Sequence, residues 1–315
     1  MKKGFFLLMD SGNSRLKCRA VDALWSPSKR DIQQNTKSGS AVSHPISQES
    51  LAHATIPNDQ LVSLQEILKH WISTFGEIVQ VYAVSVASEQ IRQIIETQIN
   101  AVGGCVQWLQ VARSELGLQN AYDVQQMGKD RWYGVLGAYV HHVQHSMENH
   151  AVINSKEKNK LAGANNAFLY ISFGTATTID VVVGQQYLGG VIFPGVQLMQ
   201  HSLFHGTAQL PEIHLHEKRA DVFPTNTEKA IESGIVIAQA GAVLRQIQRV
   251  YEQYQVVPTL YVSGGARYAV MQEIRQAYAQ WEAMSSVDAL PALQIIELEA
   301  PVLDGIQAWV VNHID

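Results

Sequence analysis

Apolar positions along this chain fall into two arrangements. One is a short run bounded by small polar residues. The other is a longer stretch with apolar residues three and four apart. These are the signatures of strands and of amphipathic helices. Residues 6–21 read FLLMDSGNSRLKCRAV and residues 168–183 read FLYISFGTATTIDVVV. Each is an apolar run, a small-residue turn around Gly12 or Gly174, and a second β-prone run, which predicts a strand, a tight turn and a returning strand. At an offset of 162, Phe6 meets Phe168, Leu7 meets Leu169 and Gly12 meets Gly174. An offset of about half the chain predicts two related domains, each opening with the same hairpin.

Between the copies, Gln80–Ala87 reads as a buried strand and Glu89–Ala101 as a helix, with Cys105–Leu109 a short strand. Gly128–His142 carries Trp132, Val135, Leu136 and Tyr139 at helical spacing. After the second hairpin, Tyr187–Phe193 and Thr259–Val262 read as strands, and Gly195–Phe204, Glu228–Tyr254 and Arg267–Trp281 as helices. Strands alternating with helices indicate an α/β fold. The polar stretch 146–166 is the natural boundary, so the expected domains are 1–145 and 165–315. Residues 26–60 are Ser- and Gln-rich and read as an extended loop or an elaborated edge.

Composition removes several classes. With 46% hydrophobic and 16% charged residues, the 315-residue chain can build full cores, which excludes disordered, collagen-like and coiled-coil designs. The balance of 23 basic against 28 acidic side chains, net −5, does not suit a general nucleic-acid binder, which needs a basic face. Two cysteines, Cys18 and Cys105, support neither a disulfide framework nor a Cys-only zinc site. Lys2 and Lys3 precede the apolar Phe5–Met9, but five residues fall short of the ~7–15 of an export signal. No stretch reaches the ~18 apolar residues of a membrane span. The expectation is a cytoplasmic protein that engages neither nucleic acid nor membrane.

Three turns point toward phosphate chemistry: Asp10-Ser11-Gly12-Asn13-Ser14, Phe173-Gly174-Thr175-Ala176-Thr177 and Ser263-Gly264-Gly265-Ala266. Backbone N–H groups approach a phosphate closely only where side chains are small. Three such turns after strands, two of them in the repeated hairpins, suggest a nucleotide held between two domains. Neither GxxxxGK[ST] nor GxGxxG occurs, which disfavours P-loop and dinucleotide folds. Asp10 can hold Mg²⁺ at the phosphate end, and Lys17 can neutralise phosphate charge.

DSGNSRLK (Asp10–Lys17) resembles the DxGNTxxK motif of the type III pantothenate kinases. GKDR (Gly128–Arg131) resembles their GxDR and FGTATTID (Phe173–Asp180) their GTATT segment. GGVIFPG (Gly189–Gly195), NTEKAIESGI (Asn226–Ile235) and SGG (Ser263–Gly265) continue the match in order. The same family includes proteins first described as accessory factors for virulence gene expression. The resemblance implies an α/β fold of two duplicated actin-like, ribonuclease H-like domains with a nucleotide cleft between them. It implies ATP-dependent phosphorylation of pantothenate to 4′-phosphopantothenate, the opening step of coenzyme A synthesis, by a homodimer.

By that resemblance Asp10, Ser11, Gly12, Asn13, Ser14, Arg15, Leu16 and Lys17 form the first phosphate loop, and Thr175 contacts ATP from the second. Asp130 is the general base. Arg131 holds the pantothenate carboxylate, for which its planar fork is suited. Tyr122, Gly128, Lys129 and Thr227 fall at other pantothenate-side positions. Mg²⁺ is implied with ATP.

The sequence departs from the family pattern in places. Ser172 stands where the family usually has an Asp that helps bind an activating monovalent cation, so dependence on K⁺ or NH₄⁺ is expected to be weaker or altered. Pro224-Thr225 replaces the usual Gly-Lys before Asn-Thr, and the Pro that usually follows Tyr122 is missing. Twelve histidines invite a metal reading: His141, His142 and His145 share a helix, His201 and His205 are four apart, and His214 and His216 alternate. No HExxH accompanies them, and exposed or interface histidines are the simpler expectation. Two other functions remain open at this point. One is a non-catalytic regulator that kept the fold, for which Ser172 speaks. The other is a sugar kinase of the same superfamily, which explains the duplicated hairpin but not GKDR.

Overall fold

A computed structural model describes residues 4–23, 50–152, 167–207, 210–213, 221–284 and 290–314. The chain forms two compact units, one of Met1–Ala151 with Ala300–Asp315 and one of Val152–Glu299.

In the first unit, β1 (Gly4–Ser11) is buried almost throughout, as befits a central strand covered on both faces. It pairs antiparallel with β2 (Arg15–Asp22), which pairs antiparallel with β3 (Ala52–Pro57). The stretch 26–60 therefore supplies an edge strand over its described part. On the other side β1 runs parallel to β4 (Glu77–Ser85), and β4 parallel to β5 (Val106–Trp108). The sheet order is β3-β2-β1-β4-β5. A 3₁₀ turn, Asn58–Ser63, leads into α1 (Leu64–Phe75). α2 (Glu89–Asn100) begins at Ser88, whose hydroxyl accepts the Ile91 N–H. Phe5, Leu7 and Met9 of β1 and Leu16, Cys18 and Ala20 of β2 pack against Leu64, Leu68, Trp71, Ile95 and Ile99. This is the period of two on the strands meeting the i, i+4, i+7 stripe of a helix. A small hairpin, β6 (Ser114–Glu115) and β7 (Leu118–Asn120), then precedes α3 (Lys129–Val152).

The second unit repeats the plan. β8 (Ala167–Phe173), β9 (Ala176–Val183) and β10 (Gln186–Pro194) run antiparallel in succession, while β11 (Thr259–Ser263) and β12 (Ile295–Glu297) run parallel to β8. Their order, β12-β11-β8-β9-β10, is the first unit's order read from the other edge. α4 (Val196–Gly206), α5 (Thr227–Tyr254) and α6 (Arg267–Met284) complete it, with Leu169, Ile171 and Val262 of the sheet in one core with Val243, Ile247 and Ile274 of the helices.

The repeat is exact only as far as the turn. Ser11 pairs with Leu16 in the first hairpin and Phe173 with Thr177 in the second. The second turn is one residue shorter, so the offset of 162 becomes 161 in the returning strand.

The last helix, α7 (Pro301–His313), groups with the first unit, although the half-chain repeat assigns it to the second. It crosses α3 with backbone against backbone. A Cβ on Gly137 would lie 2.0 Å from the Pro301 carbonyl oxygen, and one on Gly305 1.9 Å from that of Tyr133. Arg19 of β2 pins the crossing: its Nη1 donates to Asp304 Oδ1 at 2.7 Å and to Gln307 Oε1 at 3.0 Å. Trp132, Val135, Leu136 and Tyr139 of α3 are all buried within the chain, so that stripe is core. Among the described residues no helix is long and apolar enough to cross a membrane.

Candidate active site

The first hairpin sets Asp10 directly opposite Lys17 across the β1–β2 ladder, so both side chains share one face of the sheet. The chain reverses between them through Gly12–Arg15, where the Gly12 N–H donates to the Arg15 carbonyl at 3.1 Å. Asn13, Ser14 and Arg15 are exposed at the tip, while the side chains of Ser11 and Leu16 are buried. Ser11 and Leu16 are buried main chain included, so the groups open to a ligand at the tip are those of Asn13, Ser14 and Arg15.

The second cluster of the first unit stands at the start of α3. The Gly128 carbonyl accepts the Trp132 N–H at 3.0 Å, which makes Gly128 the first cap of the helix. Asp130 lies in the first turn, where its Oδ1 accepts the Arg131 N–H at 2.7 Å. A Cβ on Gly128 would come within 2.8 Å of that same Oδ1, so the glycine leaves the space that the carboxylate occupies. Arg131 is buried, and its guanidinium lies 5.1 Å over the Tyr122 ring. Tyr122 is held in turn by Asn120, whose Oδ1 accepts the Tyr122 N–H at 2.9 Å while its Nδ2 donates to the Ala112 carbonyl. Just after Tyr122, Asp123 makes a bend without proline, its Oδ1 accepting the Gln125 N–H at 3.1 Å. Lys129 is half-buried beside Asp130.

The two clusters are electrostatically joined. Burial pushes the Asp10 carboxyl up to about 7, against the pull of Lys17, and the negative charge of Asp130 adds to the rise. Burial also holds Asp130 above the usual carboxylate range, although the Arg131 N–H and guanidinium oppose it. Beneath them Cys18 is pushed up to about 12 by burial and by Asp10, which keeps it a neutral thiol. Two carboxyls held above their usual range, one beside Lys17 and the other beside Arg131, mark this end of the first unit as the candidate site.

In the second unit the two other small-residue turns meet. Gly264 takes a φ of +93°, and a Cβ there would lie 2.3 Å from the Phe173 carbonyl oxygen. The Ala266 N–H donates to that carbonyl at 3.3 Å, and the Gly195 N–H donates to the Thr175 carbonyl at 3.0 Å. A Cβ on Gly195 would sit 2.2 Å from the Gly174 carbonyl. FGTAT, FPG and SGG thus close on one another, which explains the glycines at 195 and 264 by contact. Thr177 donates to Gln239 Oε1 at 2.7 Å, and Gln239 Nε2 donates to the Pro194 carbonyl at 2.9 Å. Gln239 is a residue that sequence motifs do not announce, because it sits mid-helix in α5. Thr227 is the exposed first residue of α5, capped by Asn226, whose Oδ1 accepts the Lys229 N–H at 3.0 Å. Thr175 and Thr227 belong to this second unit, whereas Asp10, Lys17, Tyr122, Gly128, Asp130 and Arg131 belong to the first.

His141, His201 and His205 have other partners. His141 Nε2 stands 3.1 Å from Asp304 Oδ2, and the His201 and His205 rings stack on one face of α4, 5.9 Å apart. Among the described residues no group of three His, Cys, Asp or Glu side chains could hold a metal ion. His214 and His216 lie outside the described residues.

A mixed sheet with its first strand at the centre, built twice and opened each time by a hairpin with a small-residue turn, defines an α/β fold of two duplicated units. The comparisons narrow this class. A family model described as type III pantothenate kinase matches residues 6–249. The chain is 33% identical over 304 residues to the type III pantothenate kinase of Bordetella petrii, covering 95% of each chain. It is 31% identical to that of Bordetella bronchiseptica, covering 96% of each. The identity to that of an Azoarcus species is 27%, covering 96% of this chain and 97% of the other. The chain belongs to the type III pantothenate kinase family.

Proposed function

We propose that the protein transfers the γ-phosphoryl group of ATP to the primary hydroxyl of pantothenate, forming 4′-phosphopantothenate and ADP at the head of coenzyme A synthesis. The observation that carries this reading is the Asp10, Lys17, Asp130 and Arg131 cluster of the first unit, where burial raises both carboxyls beside two cations. Phosphoryl transfer needs positioning and charge stabilisation more than covalent chemistry. Asp130 accepts the proton of the substrate hydroxyl, and its raised pKa makes it a stronger base than an ordinary aspartate. Arg131, oriented by Tyr122, takes the pantothenate carboxylate, with Gly128, Lys129 and Thr227 as further substrate contacts. The exposed tip Asn13–Arg15 and the Lys17 ammonium receive the phosphates, and Thr175 contacts ATP from the second hairpin.

The donor set also fits Mg²⁺. Asp10 offers oxygen to a hard cation, and the Asp130 charge acts on the same carboxyl, although Lys17 outweighs it. Asp10 would hold Mg²⁺, which would supply charge neutralisation to the phosphates. Ser172 offers a neutral hydroxyl where the family pattern has a carboxylate, so dependence on K⁺ or NH₄⁺ is weaker or altered. Rates in K⁺, NH₄⁺ and Na⁺ buffers check this, and an absolute K⁺ requirement contradicts it. The protein works as a homodimer in this reading, and exposed Leu188, Ile192, Leu198 and Phe204 of the second unit offer apolar surface to a second copy. Sedimentation velocity measures that state.

A coupled ADP-release assay with pantothenate and a panel of sugars tests the function. Pantothenate-dependent turnover, absent with sugars, is the expected result. Turnover with a sugar and none with pantothenate overturns it. No observation favours the non-catalytic alternative.

A further inference from the structure

We propose that Asn58, which lies outside every phosphate-loop motif, is a positioning residue that turns the first phosphate loop's amide groups toward ATP; this rests on the kinase reading above.

Three successive carbonyls of the loop end on this one residue. Asn58 Nδ2 donates to the Gly12 carbonyl at 3.1 Å and to the Asn13 carbonyl at 2.9 Å. Its main-chain N–H donates to the Ser14 carbonyl at 3.1 Å. Both side-chain contacts are oxygens, so only the amide nitrogen can face them. Its Oδ1 is buried and makes no hydrogen bond among the described residues, so the two loop carbonyls alone set the orientation of this amide.

The peptide bond is planar and trans, so a carbonyl and the N–H that follows it point in opposite directions. Carbonyls of Gly12 and Asn13 drawn toward Asn58 therefore turn the N–H groups of Asn13 and Ser14 the other way. A phosphate is repelled by carbonyl oxygens and bound by amide N–H groups. A loop of small residues is free to flip its peptides, and the same small size that admits a phosphate also permits the wrong face. Asn58 fixes the right one before the ligand arrives.

The placement is set by sheet register. Arg15 pairs with Pro57 on the antiparallel β2–β3 ladder, so the next residue of β3's extension falls beside Ser14. Ile56 anchors the strand in the core, and Pro57 ends it in an extended conformation that leads into the 3₁₀ turn.

The test compares wild type with Asn58→Ala and with the near-isosteric Asn58→Asp, which replaces the donor by an acceptor facing two carbonyls. Titration calorimetry with ATP and with adenosine is paired with steady-state kinetics, and thermal unfolding verifies that each variant is folded. Asn58→Asp carries the test if the alanine variant does not fold. ATP binding and KM for ATP weaken roughly 5- to 100-fold, the yield of two lost hydrogen bonds, while adenosine affinity and KM for pantothenate stay within about twofold. A purely structural role would weaken adenosine and pantothenate alongside ATP, and that result overturns the proposal, as does unchanged ATP affinity in Asn58→Asp. A wild type that binds no ATP removes the kinase reading and this inference together, which separates the two failures.

Discussion

Asp10 faces Lys17 across a strand pair, yet its carboxyl rises to about 7 because burial outweighs the lysine. In the unfolded chain the same group titrates near 3.8. Between those values the folded protein keeps a proton that the unfolded chain has released. Its contribution to stability is therefore fully present below about pH 4 and is lost as pH rises through about 7. Urea unfolding of ligand-free protein at pH 5 and pH 7.5 checks this: wild type loses stability relative to Asp10→Asn as pH rises. Asp130 gives a second pH signature, this time in catalysis. With Asp130 as the proposed base its carboxylate is the active form, so kcat/KM is expected to fall as pH drops, with the acid limb lying above the ordinary carboxylate value. Asp130→Asn lowers kcat by about 10²–10⁴-fold and removes that limb. Gly128→Ala crowds the Asp130 carboxylate and lowers kcat with a smaller change in KM for ATP. Asp130 and Arg131 are singled out in the sequence by the contiguous GKDR stretch, and the structure sets them in the first turn of α3. Asn58 and Asn120 are not legible, because each acts through a backbone group that only strand pairing or a turn brings near.

At the scale of elements, the two hairpins announce themselves by alternation, and their strands fall where the apolar runs lie. α7 does not. Leu303, Gly305, Ile306, Ala308, Val310 and Val311 bury it nearly all round, which erases the one-sided stripe that marks a surface helix. Its partner Gly137 is equally opaque, since a glycine inside a helix counts against the helix by propensity. At an exposed helical site Gly→Ala gains up to ~1 kcal/mol. Here the sign reverses. Gly137→Ala or Gly305→Ala drives a methyl group into a carbonyl across the crossing and destabilises the protein by at least ~1–3 kcal/mol, read as a lower melting temperature. The same substitution at Gly234 of α5, where nothing lies within 4 Å, is neutral or stabilising.

Across the whole molecule, the duplicated sheet order turns two similar stretches of sequence into two similar folds, each with its first strand at the centre. The half-chain repeat foretells this doubling but not the return of residues 300–315 to the first unit, because that assignment rests on a glycine crossing and an arginine pair rather than on pattern. Truncation after Glu299 uncovers the α3 face that Pro301 and Gly305 occupy and leaves Arg19 without Asp304. Hydrogen exchange of such a chain speeds up in β1, β2 and α3 while β8, β9 and α5 keep their protection. The same return orders events during synthesis. A ribosome delivers residues 152–299 in full before it delivers α7. The unit of residues 152–299 is thus the first whose fold can be completed, and the unit that bears Asp10 and Asp130 waits on α7.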